Sequence, residues 1–253
     1  MMAYDNRIMT QLSIFPNARV SYEIIRETAD YLVVYKPARL ATQPGKSHMK
    51  DTLLNGVFNR FGPQLQNLGK RRDFGLLHRL DLATSGLVLV GLSIDGYDAL
   101  RAQFESRTIK KRYLACVHGH LSQKLSIKKP IREVRRKGEK WAQVGPHPNA
   151  QPAHTEVEPK FSRGGLSLVD CHLITGRLHQ IRIHLASEGL PVIGDRKYGG
   201  TRPTPPGFGP RAIGLHAYRL AFRAPSTGKR VVVQCPMPPN MEALARHMGF
   251  TLR

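Results

Sequence analysis

The sequence predicts an α+β fold with a mostly antiparallel, mixed β-sheet and peripheral helices. Segments typical of strands follow one another closely in the second half of the chain, which favours this class over a series of βαβ units. The 253 residues, 41% of them hydrophobic, suffice to bury a core without disulfides or metals. The sequence contains no internal repeat and no low-complexity tail. We therefore expect one domain.

Two short strands open the folded part of the chain. YEIIRE begins at Tyr22 and YLVVYKP at Tyr31, and both are rich in β-branched and aromatic residues. A turn at Asp30 separates them. The second strand ends at Lys36-Pro37, because proline has no N–H to donate to a neighbouring strand.

A helix, a buried strand and a second helix follow. DTLLNGVFNRFG has the apolar spacing of an amphipathic helix, with Asp51 as its N-cap and Gly62 as its end. GLVLVGL, from Gly86, is an uninterrupted apolar run and predicts a buried central strand. SIDGYDALRAQFESR then predicts a helix capped by Ser93.

The rest of the chain consists mainly of strands. The segments are KKRYLACVHG, HTEVEPKF, GLSLVDCHL, LHAYRLAFRAP and KRVVVQCP. Two helical segments interrupt them: RLHQIRIHLASEG ends at Gly189, and NMEALARHMG ends at Gly249. The stretch from Tyr198 to Arg211 is rich in glycine and proline and is too short for a domain linker, so it predicts a loop.

The charge of the chain points to a polyanionic partner. The formal net charge is +21 and the isoelectric point is near 10.5. Such a surplus attracts nucleic acid and makes binding salt-dependent, although a solvated basic surface is the alternative interpretation. Basic residues cluster in GKRRD from Gly69, in RTIKKRY from Arg107 and in KKPIREVRRKGEK from Lys128. Because folded segments separate these clusters, they predict a basic face on a globular protein.

Several classes of protein are disfavoured. The three cysteines lie far apart without a CxxC pair, which argues against a disulfide framework or zinc ribbon and indicates a reducing, cytoplasmic setting. The sequence shows neither a signal peptide nor a run near the ~20 apolar residues of a membrane span. His179 and His184 do not share a helix face and no acidic pair could hold magnesium, so we expect no metal. Serine-hydrolase and nucleotide-binding motifs are absent, so the sequence indicates neither a dinucleotide nor a nucleoside triphosphate as ligand.

The segment HRLDLATSG, from His78 to Gly86, places Asp81 between apolar residues. A single aspartate in a turn is most often a turn or cap residue. Here the apolar sequence on both sides predicts partial desolvation and a need for a cationic partner. Arg177 and Arg182, in the apolar segment GRLHQIR, could supply that charge. Asp81 is therefore also a candidate for the working group of an active site.

Three segments in this order resemble the motifs of one known family. HRLDLATSG, KKRYLACVHG and TGRLHQIRIHLASEGLPVIGDRKYG are similar to those of the RluA-type family of RNA pseudouridine synthases. The flanking segments YLVVYKPARL and LHAYRLAFRAPSTGKRVVVQCP resemble that family too, so the similarity extends from about Tyr22 to near the end. It implies a curved, mostly antiparallel sheet with a catalytic cleft across it, and an isomerase that needs no cofactor and no metal.

The sequence departs from the family pattern in two places. In VYKPARLATQPG, the aspartate that commonly precedes Lys-Pro and the His-Pro that commonly follows are missing, which we expect to affect only a peripheral strand and loop. Residues 1–21 form an N-terminal extension too short for the S4-type RNA-binding module of many relatives. We therefore expect residues 22–253 to be the catalytic domain. The basic clusters at Lys70–Arg72 and Lys128–Lys140 are candidates for RNA recognition.

The resemblance implies a catalytic role for three residues. The target uridine has to leave the RNA stack before an enzyme can reach it. Asp81 would then lie beside its sugar and act either as nucleophile at C1′ or as base toward C2′. The sequence does not choose between these routes. Arg182 would be the ion-pair partner of Asp81. Tyr113 would offer a ring face to the flipped uracil and a hydroxyl near the ribose, although alone it would be interpreted as a core residue.

Five further residues are predicted to contact substrate. Arg79 would reach into the RNA or onto its phosphates, and His78 would support the turn beside it. The other three lie in the GRLHQIR segment and are Arg177, His179 and Gln180.

Two other functions remain open at this stage. A non-catalytic RNA-binding or ribosome-assembly protein could keep the fold and the charge, but binding alone would not need Asp81, Tyr113 and Arg182 together. A hydrolase using Asp81 is disfavoured because no second carboxylate or histidine is evidently paired with it. The expected partner is ribosomal or transfer RNA, and the expected protein is a cytoplasmic monomer.

Overall fold

A computed structural model describes residues 13–205, 208–209 and 212–250. Within them the strands are β1 Glu23–Glu27, β2 Tyr31–Lys36, β3 Ser85–Gly91, β4 Lys110–His118, β5 Leu125–Ile127, β6 Ile131–Arg136, β7 Glu139–Val144, β8 Thr155–Arg163, β9 Leu166–Leu173, β10 Leu215–Arg223 and β11 Arg230–Gln234. The helices are α1 Leu53–Leu68, α2 Ile94–Glu105, α3 Gln180–Ser187 and α4 Pro239–His247, with a 3₁₀ turn at Lys70–Gly75. The α+β class and the predominance of antiparallel pairing are confirmed.

The first of two compact units comprises the described residues up to Ile109 together with Ala221–Cys235. Its strands β1, β2 and β3 are antiparallel, and β2 pairs with β3 over its full length. Every residue of β3 is buried, as its uninterrupted apolar sequence predicts. The segment HRLDLATSG leads directly into this strand, so its last residues are anchored in the core.

Helix α1 differs from the prediction at both ends. Its N-cap is Thr52, whose hydroxyl accepts the Asn55 N–H while the Asn55 side chain accepts the Thr52 N–H. Asp51 instead binds His48 at 2.9 Å. The helix does not end at Gly62 but continues to Leu68, with non-helical dihedral angles at Phe61. The kink places Pro63 at the start of a new helical segment, where its missing N–H costs little.

The second compact unit comprises the described residues of Lys110–Leu220 and those from Pro236 onward. Its strands lie in the order β10, β4, β9, β8, β5. Strand β4 is paired with β9 so that Tyr113 lies opposite Cys171. One hydrophobic cluster of this unit joins the sheet to α4, and it includes Cys116, Leu168, Met241 and Leu244.

A hairpin of β6 and β7 was missed in the sequence, where KKPIREVRRKGEK was interpreted only as a basic cluster. The strands pair from Ile131–Val144 to Arg136–Glu139. The two residues between them, Lys137 and Gly138, both have positive φ, the geometry of the two-residue turns that favour hairpins. The base of the hairpin packs into a small cluster that contains Ile131, Ala142, Ala153, Ile183 and Tyr198.

The three cysteines, Cys116, Cys171 and Cys235, are buried, and none of them is in a disulfide bond. No helix among the described residues is long and apolar enough to cross a membrane. Residues 1–12 of the predicted N-terminal extension lie outside the described residues, as do 206–207 and 210–211 of the predicted loop.

Candidate active site

The HRLDLATSG turn is fixed on both sides of Asp81. His78 accepts the Leu89 N–H on Nε2 at 3.0 Å, a bond that joins the turn to β3. The Thr42 hydroxyl forms two hydrogen bonds with the backbone of Leu80. It donates to the Leu80 carbonyl at 2.8 Å and accepts the Leu80 N–H at 3.2 Å. The Thr84 N–H donates to the Asp81 carbonyl at 3.1 Å. The backbone that carries the Asp81 carboxylate is therefore held by the side chains of Thr42 and His78 and by one main-chain bond from Thr84.

A buried lysine accompanies Asp81 in the first unit. The side chain of Lys36 is fully buried at the end of β2, and its Nζ donates to the carbonyls of Pro37 at 3.0 Å and Leu40 at 2.7 Å. Burial lowers the pKa of Lys36 to about 7, and the negative charge of Asp81 opposes that shift. Sequence reasoning considered only arginines as cations near Asp81. A lysine that ends an apolar strand just before proline was the available signal.

Replacing Lys36 by methionine is expected to remove a pH-dependent part of the stability. Its pKa is about 7 when folded and 10.5 in its ordinary state, so between these values the unfolded chain binds more protons and stability rises with pH. Below about pH 7 the Lys36 amino group is charged in the folded protein as well, so its contribution to stability no longer changes with pH. The wild type should gain about 2–3 kcal/mol in free energy of unfolding between about pH 7 and pH 9 through Lys36, a gain absent from Lys36→Met. Urea unfolding at the two pH values measures the difference.

The control for this measurement is Lys46→Met, since Lys46 is exposed. This variant should keep the pH dependence of the wild type. If the free energy of unfolding changed with pH by the same amount in the wild type and in Lys36→Met, the prediction that buried Lys36 loses its proton in this range would be wrong.

Tyr113 lies in the second unit, on the same face of β4 as Lys111, because alternate residues of a strand share a face. Tyr113 is buried. The Lys111 amino group approaches Gly176 so closely that a Cβ at that glycine would lie 3.5 Å from Nζ. Burial lowers the pKa of Lys111 to about 8. The structure thus brings the KKRY strand beside the beginning of the TGRLHQIR segment.

Arg182 is held by a carboxylate that sequence reasoning did not identify. Its Nε and Nη2 lie 2.7 and 2.9 Å from the two oxygens of Asp195. Arg182 and Asp195 are 8% and 4% exposed, so this bidentate ion pair is largely removed from water. Asp195 follows the apolar run LPVIG, which was the signal for a buried acidic group. The pair of Arg182 with Asp81 stays a prediction.

Gln180 is a structural centre of the GRLHQIR segment. Its Oε1 accepts the Thr175 hydroxyl at 2.7 Å and the Arg177 N–H at 3.0 Å. Its Nε2 donates to the His154 carbonyl at 3.0 Å and to the Thr155 hydroxyl at 2.9 Å. Because these four bonds occupy both donors and both lone pairs of the buried amide, Gln180 orients the loop that carries the other predicted residues.

His179 and Arg177 flank this loop. His179 has φ 50° and ψ 25°, a left-handed conformation that is uncommon for a residue other than glycine. Its Nδ1 lies 2.7 Å from the Tyr198 hydroxyl. Arg177 is half-buried and donates from Nε to the Pro152 carbonyl at 3.2 Å. In the first unit Arg79 is exposed beside Asp81.

Comparisons with known proteins agree on one family. The sequence model described as RNA pseudouridylate synthase matches residues 30–187. The ribosomal large subunit pseudouridine synthase D of Nitrosomonas europaea is 36% identical over 232 residues, which cover 89% of this chain and 64% of that protein. The protein of the same name from Zymomonas mobilis is 32% identical and covers 92% of this chain and 75% of its own length. The chain thus spans slightly less than two thirds of the first of these relatives.

Solved structures show the same fold. The human RNA pseudouridylate synthase domain containing 4 superposes with a TM-score of 0.70 at 21% identity, over 91% of this chain and 94% of the other. The human RNA pseudouridylate synthase domain containing 1 gives a TM-score of 0.66 at 26% identity, over 91% and 90% of the two chains.

Proposed function

The chain belongs to the RNA pseudouridylate synthase family, and on that basis we propose that it converts uridine to pseudouridine in large-subunit ribosomal RNA. Family membership makes it an isomerase that acts on RNA. The ribosomal substrate is supported by the names of relatives from Nitrosomonas europaea and Zymomonas mobilis, both ribosomal large subunit pseudouridine synthases. We propose residues 22–253 as the catalytic domain, acting as a monomer in the cytoplasm. Buried cysteines that form no disulfide suit a reducing compartment.

The reaction breaks the N1–C1′ bond of uridine, turns the base and joins C5 to C1′. We assign Asp81 to the sugar, as nucleophile at C1′ or as base toward C2′. The observation that supports this assignment is the fixed turn, in which bonds from Thr42, His78 and Thr84 hold the backbone around a half-buried carboxylate. A reacting group whose backbone is fixed in this way loses little conformational entropy when the reactive geometry forms.

The other predicted residues divide into those that contact RNA and those that position them. Tyr113 offers its ring to the flipped base, and Arg182, oriented by Asp195, presents a fixed guanidinium. Arg79, Arg177 and the left-handed His179 contact the RNA. The remaining two, His78 and Gln180, act by holding their loops.

RNA recognition is assigned mainly to the β6–β7 hairpin. Its strands and turn carry five cationic side chains against two carboxylates, and Arg135, Arg136, Lys137 and Lys140 are exposed. In the basic cluster Lys70–Arg72, Arg72 forms a bidentate pair with Asp98 at 2.9 and 2.8 Å, and in the hairpin Lys140 pairs with Glu133 at 3.2 Å. Cations on an exposed two-stranded ribbon can follow the phosphates of a folded RNA.

Mapping of pseudouridines tests the proposal directly. Carbodiimide-dependent reverse-transcription stops would be compared between cells with and without this gene, over both ribosomal and transfer RNA. We expect one or more stops in large-subunit ribosomal RNA to disappear and to return on expression of the wild-type chain. Stops that disappear only from transfer RNA would refute the ribosomal substrate. An unchanged pattern in both RNAs would favour the alternative, a non-catalytic RNA-binding protein on this fold.

A further inference from the structure

The turn Asp195–Tyr198 contacts two parts of the second unit. One is the β6–β7 hairpin, proposed to bind RNA, and the other is the segment with His179 and Arg182, proposed to lie at the target uridine. The Tyr198 hydroxyl lies 2.7 Å from the Ala142 N–H on β7, which donates to it. The same oxygen lies 2.7 Å from Nδ1 of His179, the residue before α3. One hydroxyl group therefore joins the RNA-binding hairpin to the segment that carries Arg182.

The ring of Tyr198 makes contacts on the same two sides. It packs edge-to-face against Trp141 of β7, with ring centroids 5.8 Å apart, and against His179 at 5.6 Å. The Arg182 guanidinium lies 5.2 Å from its centroid. Trp141 also contacts the Arg136 guanidinium at 5.3 Å, which extends the contacts to the cationic part of the hairpin.

The backbone of the turn completes the connection. Asp195, which binds Arg182, accepts the N–H groups of Lys197 and Tyr198 on Oδ1 at 3.0 and 3.2 Å. Lys197 in turn donates to the Lys140 carbonyl at 2.8 Å and lies 4.6 Å from the Trp141 ring centroid. The carboxylate that orients Arg182 thus also orders the residues that hold β7.

His179 gives a second reason to regard these contacts as functional. A left-handed histidine is a strained conformation, which persists only where the surroundings determine it. The bond to Tyr198 is one of the contacts that fix it. Loss of that bond would free His179 and loosen β7 at the same time.

We propose that Tyr198 is a positioning residue that aligns RNA held by the β6–β7 hairpin with His179 and Arg182. This inference rests on the proposed function of the chain. Tyr198 itself does not act on the substrate. Its hydroxyl fixes the distance between the β6–β7 hairpin, which binds RNA phosphates, and the segment that carries His179 and Arg182. RNA bound by the hairpin is therefore held with its target uridine in a defined position relative to these two residues.

A double-mutant cycle tests this coupling, with a large-subunit ribosomal RNA transcript carrying 5-tritiated uridine as the probe. Tyr198→Phe removes the hydroxyl and keeps the ring, and Arg135→Ala/Lys137→Ala removes two exposed cations from the hairpin. Tritium release is followed in single-turnover experiments with subsaturating and saturating enzyme. Positioning predicts a slower rate constant with the urea-unfolding curve of the wild type, whereas partial unfolding would shift that curve to lower urea concentration.

We expect Tyr198→Phe to lower the second-order rate constant about tenfold in the wild-type background but less than about twofold in the hairpin variant. Equal losses in both backgrounds would refute the coupling. Tyr218→Phe is the matched control, since it removes a hydroxyl bonded to Asp170 at 2.7 Å, and its effect should be the same in both backgrounds. If Tyr198→Phe fails to fold, Lys197→Met removes the neighbouring bond to the Lys140 carbonyl and should give the same non-additive cycle.

The result for the wild-type protein distinguishes a failure of this inference from a failure of the proposed function. Tritium release by the wild type with additive losses in the cycle would refute the role of Tyr198 alone. Absence of release by the wild type, together with tight binding of the transcript, would refute the proposed activity itself.

Discussion

Asp81→Asn is expected to slow pseudouridine formation by at least about a thousandfold while RNA affinity stays within about tenfold. Asparagine keeps the size of the side chain but loses the charge and the nucleophilic or basic oxygen. The bonds that shape the turn come from main-chain groups and from Thr42 and His78, so the variant should fold. Single-turnover release of tritium from 5-tritiated uridine measures the rate, and filter binding measures the affinity.

Asp95→Asn serves as the control for this measurement, because Asp95 is an exposed carboxylate in the first turn of α2. It should release tritium at the wild-type rate. Asparagine serves nearly as well as aspartate in turns and caps, so a merely structural Asp81 predicts near-normal activity. Comparable rates for Asp81→Asn and the wild type would therefore exclude Asp81 from the chemistry.

Asp195→Ala is expected to lower the free energy of unfolding by about 3–5 kcal/mol, because it breaks the buried, bidentate ion pair between Asp195 and Arg182. Activity should fall with it, since Asp195 orients Arg182 through two bonds of 2.7 and 2.9 Å. Urea unfolding measures the stability. Replacing both members, as Asp195→Ala with Arg182→Met, should recover part of the lost stability, because the buried guanidinium is then removed together with the carboxylate.

The Arg72–Asp98 pair provides the comparison. Its geometry is also bidentate, but the two side chains are 25% and 53% exposed, so Asp98→Ala should lower the free energy of unfolding far less than Asp195→Ala does. Similar losses for Asp195→Ala and Asp98→Ala would show that burial of the Arg182 pair contributes nothing.

Elements with a single dominant local signal could be predicted from the sequence. The apolar run of β3 and the serine cap of α2 were both confirmed, because burial and capping depend on neighbouring residues in the chain. Helix α1 was predicted less well. Asp51 and Thr52 are both suitable caps, and only the reciprocal bonds with Asn55 decide between them. Glycine at position 62 was interpreted as a stop although the helix continues through a kink at Phe61.

The candidate site shows the same limit for contacts between distant residues. The motifs identified Asp81, Tyr113 and Arg182, but not Asp195, which binds Arg182 from thirteen positions further along the chain. They also did not identify the internal role of Gln180, whose four bonds reach residues up to 26 positions away. Lys36 was noted only as the end of a strand, because its proximity to Asp81 depends on how the turn folds back.

The burial of all three cysteines makes the native protein suitable for site-specific chemical labelling. Burial raises the pKa of Cys116 and of Cys235 to about 12, so at neutral pH both are protonated thiols that react slowly with maleimides. Cys171 is fully buried, and the pKa of its thiol is raised as well. A cysteine introduced at exposed Lys137 would then be the fast-reacting thiol of the molecule. A fluorophore or crosslinker attached there could report where the hairpin tip meets RNA without replacement of the native cysteines.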